Sequence, residues 1–128
     1  MDSIYSIKPL VPHTDERGTL FEILNTPDGG YIYTFTIEPG HRRGDHYHKE
    51  KHEWFTCVVG RVTILLETKE GKKEKIMLDA QNPNVVYNAA GVAHAFLNEM
   101  SDTAMVVCYG SRRHDPDDPD TFKKFIDY

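Results

Sequence analysis

Gly40-His41-Arg42-Arg43-Gly44-Asp45-His46-Tyr47-His48-Lys49-Glu50-Lys51-His52-Glu53 is the stretch on which the fold and the chemistry of this chain turn. It ends against an apolar run, Trp54 to Val59, that reads as a β-strand. Residues two apart in a strand share a face, so His46 and His48 point the same way. Folding back brings the Glu53 carboxylate alongside, and a third histidine follows in Gly91-Val92-Ala93-His94. Three imidazoles and one carboxylate converging on a point suit a borderline divalent metal. By the same alternation His52, beside Glu53, points away from it.

Outward from this stretch the chain is a series of short alternating segments. Tyr31 to Ile37, Trp54 to Val59, Arg61 to Thr68, Lys72 to Leu78, Val85 to Asn88, His94 to Asn98 and Ala104 to Gly110 all read as strands. Turn signals recur roughly every 8–12 residues, the mark of an all-β sandwich or barrel. The one helical expectation is at the C-terminus, where Asp120 can cap a short helix through Phe122, Lys123, Phe125 and Ile126. The preceding Asp115-Pro116-Asp117-Asp118-Pro119 reads as a stiff, solvated acidic loop.

Composition bounds the function. The 128 residues make one domain with enough chain for a core. Hydrophobic content of 39% and charged content of 27% are those of an ordinary globular protein. A formal net charge of −5 argues against nucleic acid or an anionic membrane as partner. No apolar run is long enough to span a bilayer, and no signal-peptide pattern opens the chain, so a cytoplasmic location is expected. Cys57 and Cys108 lie in apolar strand-like runs and read as buried free thiols. Cys57 shares parity with Glu53 and Phe55 and can face the same interior.

The spacing also carries a family resemblance. Gly40, His46, His48, Glu53 and Gly60 match the first cupin motif, and Gly91, His94 and Asn98 match the second. The second motif departs from the family pattern at Pro83 and Ala89, where a glycine and a proline usually stand. The chain thus resembles a cupin, which implies a jelly-roll β-barrel as a single domain over residues 1–128.

Three further stretches narrow the resemblance. Asp15-Glu16-Arg17-Gly18, Arg43-Gly44-Asp45-His46 and Gly91-Val92-Ala93-His94-Ala95-Phe96 are similar to signatures of the nucleotide-sugar 3,5-epimerases. With Gly44-Asp45-His46-Tyr47-His48 and the tail Asp115 to Phe122, the chain most resembles the C-terminal cupin domain of bifunctional capsular-polysaccharide UDP-sugar epimerase/reductases.

That resemblance implies a bound divalent metal, zinc first, with iron, manganese and nickel as alternatives, held by His46, His48, Glu53 and His94. It implies a nucleotide-linked 4-keto-hexose as substrate and C3 epimerisation as the reaction. A homodimer formed through N-terminal strands and a separate sugar reductase are the implied partners. Arg17, Glu22 and Arg43 match substrate-contacting positions, His46 matches the base, and Arg43 is placed to stabilise an enolate. A tyrosine suits the second acid. Tyr33, Tyr47, Tyr87 and Tyr109 are available, and Tyr109 is assigned the role.

Metal-free 3,5-epimerases have a glutamine where His48 stands and a lysine where Glu53 stands. The 3,4-ketoisomerase cupins keep His-x-His but lose the last histidine. Retention of all four donors favours the metal-bearing branch and leaves His46 with two rival roles, base or ligand. A ketoisomerase, a metal-dependent oxygenase and a non-catalytic sugar-nucleotide-binding module are the competing functions.

Overall fold

A computed structural model describes residues 6–128, so residues 1–5 of the expected domain lie outside the described residues. The strands in chain order are β1 (His13–Asp15), β2 (Gly18–Asn25), β3 (Tyr31–Ile37), β4 (Arg42–Tyr47), β5 (Glu53–Val59) and β6 (Arg61–Glu67). They continue with β7 (Lys73–Asp79), β8 (Val85–Asn88), β9 (Ala93–Leu97), β10 (Ala104–Gly110) and β11 (Phe122–Lys123). All pairings are antiparallel. One sheet has the order β1-β2-β3-β10-β5-β8 and the other β11-β4-β9-β6-β7. The two face one another as a cupin-type jelly roll, in agreement with the all-β expectation.

Alternation fills the space between the sheets. Phe35 and Ile37 from β3, Phe55 and Cys57 from β5, Ile64 from β6, Phe96 from β9, and Val106 and Cys108 from β10 form the main core. Both cysteines are buried free thiols. β6 is buried on both faces. Ile64 faces the main core, while Leu65 packs outside with Ala93, Ala95 and Ile126.

The expected C-terminal helix does not form, and there is no helix among the described residues. Instead β11 pairs with β4, placing Phe122 opposite Tyr47 and Lys123 opposite His46. Tertiary partners outweigh local propensity here. Asp120 accepts from the loop after β4 rather than capping the residues that follow it, and Ile126 is fully buried against the outer face of the second sheet. Burial of that side chain contributes about 1.5–3 kcal/mol, more than a short isolated helix can offer. No helix here is long and apolar enough to cross a membrane.

One irregularity positions the site. β4 carries a bulge between Gly44 and His46, where Gly44 (φ 88°) and Asp45 (φ 58°) are left-handed. Arg43 and His46 are three residues apart and would face opposite ways in a regular strand. The extra residue restores parity, so both point inward. A Cβ at Gly44 would stand 2.9 Å from the His94 carbonyl oxygen, so only glycine fits.

Candidate metal centre

His46 enters from β4, His48 just beyond its end, Glu53 from the start of β5 and His94 from β9, all at one end of the barrel interior. The donor nitrogens of the three histidines lie within 4.8 Å of one another. Glu53 and His94 are fully buried and His48 nearly so, while His46 is half-buried. Glu53 Oε1 stands 2.7 Å from His48 Nε2 and 3.4 Å from His94 Nε2. None of these three buried atoms is in hydrogen-bond geometry with a partner.

The proton positions explain why that arrangement is unstable without a cation. His48 Nδ1 is 2.8 Å from the Asp120 carbonyl oxygen. A carbonyl only accepts, so a proton is on Nδ1, and Nε2, when it carries no second proton, turns a lone pair toward the Glu53 carboxylate. Two acceptors at that distance need a proton or a cation between them. The Asn88 amide, as placed, donates to Val92 O (3.2 Å) and toward His94 Nδ1 (3.1 Å), which leaves the His94 proton on Nε2, facing Glu53. Loading a metal displaces that proton. Donor type, burial and orphaned atoms together fit a borderline divalent cation.

Burial acts on every group here. It pushes His94 down to about 3, with Glu53 opposing, and His46 down to about 4, reinforced by His48. It pushes the Glu53 carboxyl up, but the His48 contact and the charges of His94 and Lys51 outweigh it and hold Glu53 at about 2. The other oxygen of Glu53 accepts from the Tyr33 hydroxyl at 2.9 Å and lies 3.8 Å from the buried Lys51 ammonium. Burial raises Tyr33 and Cys108 well above their usual values.

A cavity of about 180 Å³ opens beside the histidines, lined by Arg17, Leu20, Tyr33, Phe35, Arg43, Gly44, His46 and Phe96. Arg43 is buried over the Phe35 ring and donates through Nε to the Thr36 carbonyl, and its Nη2 has no partner. Arg17 is held by Asp15 at 2.6 Å.

The structure therefore brings together His46, His48, Glu53, His94, Arg43 and Arg17. Two other assigned residues, Tyr109 and Glu22, lie outside this group. Tyr109 is exposed on the outer face of its sheet, 5.7 Å from the Trp54 ring, because Cys108 takes the inward position on β10. The tyrosine whose hydroxyl reaches Glu53 is Tyr33, at 2.9 Å. Glu22 is exposed and does not line the cavity beside His46. Its carboxylate lies beside Tyr31, whose hydroxyl is pushed up by burial and then by Glu22. His52 points away as expected, with Nδ1 2.6 Å from the Tyr87 hydroxyl. Lys51, Asn88 and Asp120 complete the site. Lys51 acts on Glu53 and Asn88 on His94, both close in sequence, whereas Asp120 acts through the loop some 70 residues before it.

Comparison with known proteins agrees with the geometry. Oxalate decarboxylase of Bacillus subtilis superposes with a TM-score of 0.72 at 19% identity over 81% of this chain and 28% of that one, which establishes the cupin fold. The profile of the polysaccharide biosynthesis C-terminal domain matches residues 13–122, and the chain belongs to that family. The UDP-2-acetamido-2,6-beta-L-arabino-hexul-4-ose reductase of Pseudomonas aeruginosa is 32% identical over 111 residues, 86% of this chain and 30% of its own. The capsular polysaccharide assembling protein CapF of Staphylococcus aureus superposes with a TM-score of 0.88 at 26% identity, over 94% of this chain and 33% of that one. The chain thus spans about a third of the length of these two relatives. The spore coat polysaccharide biosynthesis protein SpsL of Bacillus subtilis is 25% identical over 89% of this chain and 83% of its own length.

Proposed function

We propose that this protein is a metal-containing cupin that exchanges the proton beside the ketone of a nucleotide-linked 4-keto-hexose, giving C3 epimerisation in surface-polysaccharide sugar synthesis. The observation that carries the reading is the convergence of three imidazoles and a buried carboxylate beside an arginine-lined cavity. The family, and relatives named for polysaccharide assembly and for a 4-ulose reductase, support the substrate class.

His46, His48, Glu53 and His94 would hold the metal, with zinc the first choice. When bound it supplies Lewis-acid polarisation of the ketone. Arg43 offers an unpaired, desolvated N–H to the oxygen on which charge develops, where its attraction grows as the reaction proceeds. Arg17, at the same cavity, is placed for the anionic nucleotide portion. Tyr33, kept protonated by burial, is the interior proton donor.

His46 is the one histidine of the set that lines the cavity. As ligand or as base it gives opposite results. His46→Ala loses the metal in the first case and keeps the metal but loses exchange in the second.

A homodimer is part of this proposal. β1 is an edge strand, and Leu10, Val11, Ile23 and Leu24 expose apolar surface next to it. A sugar reductase as partner and a cytoplasmic location complete it. The test is solvent deuterium entering C3 of UDP- or dTDP-linked 4-keto sugars, followed by NMR with zinc present. Absence of label at C3 and C5 across the panel would replace the enzyme by a sugar-nucleotide-binding module. Sedimentation at micromolar concentration tests the dimer.

A further inference from the structure

We propose that Asp120 is a positioning residue of the metal centre, through which the C-terminal tail sets both the proton of His48 and the loop that follows it. This rests on the metal reading above, but the geometry stands without it.

Asp120 is 6% exposed although the residues just before it, Pro116 to Pro119, are all exposed. Its backbone is left-handed, with φ 52°. That strained conformation turns one residue's two oxygen-bearing groups toward the same target. The main-chain carbonyl meets His48 Nδ1 at 2.8 Å. The carboxylate accepts three consecutive backbone N–H groups, from Lys49 at 2.9 Å, Glu50 at 2.9 Å and Lys51 at 3.0 Å. Those residues form the loop between β4 and β5, which carries His48 at one end and Glu53 just past the other.

The consequences are specific. A carbonyl at Nδ1 fixes the tautomer of His48, so that Nε2 presents its lone pair to the cluster. Three charge-assisted bonds hold the loop in one conformation. They also fix the backbone of Lys51, whose ammonium reaches Glu53 Oε2. The positive φ restricts the position to Asp, Asn or Gly, and of these Asp is the full acceptor. Arg112, 3.6 Å from the carboxylate, supports it from the solvent side.

The experiment uses the full chain stripped with chelator and reloaded with zinc or cobalt alone. Asp120→Ala is expected to weaken zinc binding about 10–100-fold, the effect of losing an outer-shell partner. It is expected to change the visible spectrum of the cobalt form as well. Asp120→Asn should fall between Asp120→Ala and wild type, and Asp117→Ala, which removes a neighbouring charge, should match wild type.

A second readout needs no metal. The His48 Nδ1–H resonance, protected in the stripped wild type, should vanish by exchange with water in Asp120→Ala. Unchanged zinc affinity and a persisting Nδ1–H in Asp120→Ala would overturn the proposal, even with a lowered Tm, because Asp120 would then be only structural. If Asp120→Ala does not fold, the same two readouts on Asp120→Asn decide. If wild type takes up no zinc or cobalt, the metal reading falls, and the Nδ1–H signal alone decides the role of Asp120.

Discussion

The two ends of the barrel interior are built on opposite terms. At one end Ile37, Cys57, Val62, Leu78 and Ala104 pack as an apolar cluster. At the other, β4 and the loop after it, β5, β8 and β9 present Arg43, His48, Glu53, Asn88 and His94, and each of these holds a buried polar atom without a hydrogen-bond partner. Among the described residues those five atoms are all the buried side-chain orphans found. An unsatisfied buried polar group costs about 1–3 kcal/mol. A chain that concentrates such groups at one end and none at the other is spending stability on a ligand there, while the apolar end supplies the stability.

That contrast is broken most directly by paired substitutions. Leu78→Ala, in the apolar end, should cost about 2–5 kcal/mol in denaturant unfolding and leave zinc affinity unchanged. Glu53→Gln, in the polar end, should do the reverse, weakening zinc about 100-fold or more while costing the metal-free protein less stability than Leu78→Ala. Chelator competition and urea melts on both variants check this. Equal losses of zinc affinity would mean that the two ends are one cooperative unit.

Within the polar end, metal and turnover should separate. Arg43→Ala should keep the metal and lower deuterium exchange about 10²–10³-fold, the cost of one donor aimed at developing charge. Tyr33→Phe should lower it about 10²-fold. Retention of zinc with full exchange in both would remove the cavity from the mechanism.

The same contrast predicts how the metal-free protein responds to acid. Its folded pKa values for His94, about 3, and His46, about 4, lie below the unfolded value of 6.5. Below pH 6.5 the unfolded chain therefore binds more protons, and stability falls as pH drops toward those values. Each histidine contributes at most about 1.4 kcal/mol per pH unit. Glu53, also depressed, adds to the loss from its unfolded 4.5 down to about 2. Bound zinc should move the onset of acid unfolding below that of the stripped protein, because it holds the imidazoles unprotonated. Urea midpoints measured from pH 7 to 4 with and without zinc test it.

Most of the sandwich was legible because its strands alternate. The expected Tyr31 to Ile37, Val85 to Asn88 and Ala104 to Gly110 are β3, β8 and β10 to the residue, and β5, β6, β7 and β9 differ by a residue at their ends. The four candidate donors were read from spacing, and the structure sets three of them, His46, His48 and His94, within 4.8 Å of one another with Glu53 Oε1 2.7 Å from His48 Nε2. β1 and β2 were not among the expected strands, and three further features escaped the reading. The bulge at Gly44 and Asp45 reverses strand parity, which a strict two-residue period does not encode. The tail has a helical pattern locally, but its partners, Asp45 for Ile126 and the loop after β4 for Asp120, are some 70 to 80 residues away. The face of a tyrosine depends on register, which turns Tyr33 inward and Tyr109 outward.

Tyr109 gives the smallest predicted effect and the sharpest limit on the contrast. It sits on β10 next to Cys108, and antiparallel pairing sets Cys108 opposite Tyr33 and Phe55, all directed into the barrel. Neighbours in a strand face opposite ways, so Tyr109 must point out, where it packs against Trp54 and is 44% exposed. Tyr109→Phe removes one hydroxyl from that outer surface. Unfolding free energy should shift by no more than about 0.5 kcal/mol, with zinc affinity and deuterium exchange as in wild type. Measured beside Tyr33→Phe, it asks whether chemistry is confined to the inner face. Loss of exchange in Tyr109→Phe with zinc retained would show that the outer face takes part, and the division of labour between buried polar end and exterior would no longer hold.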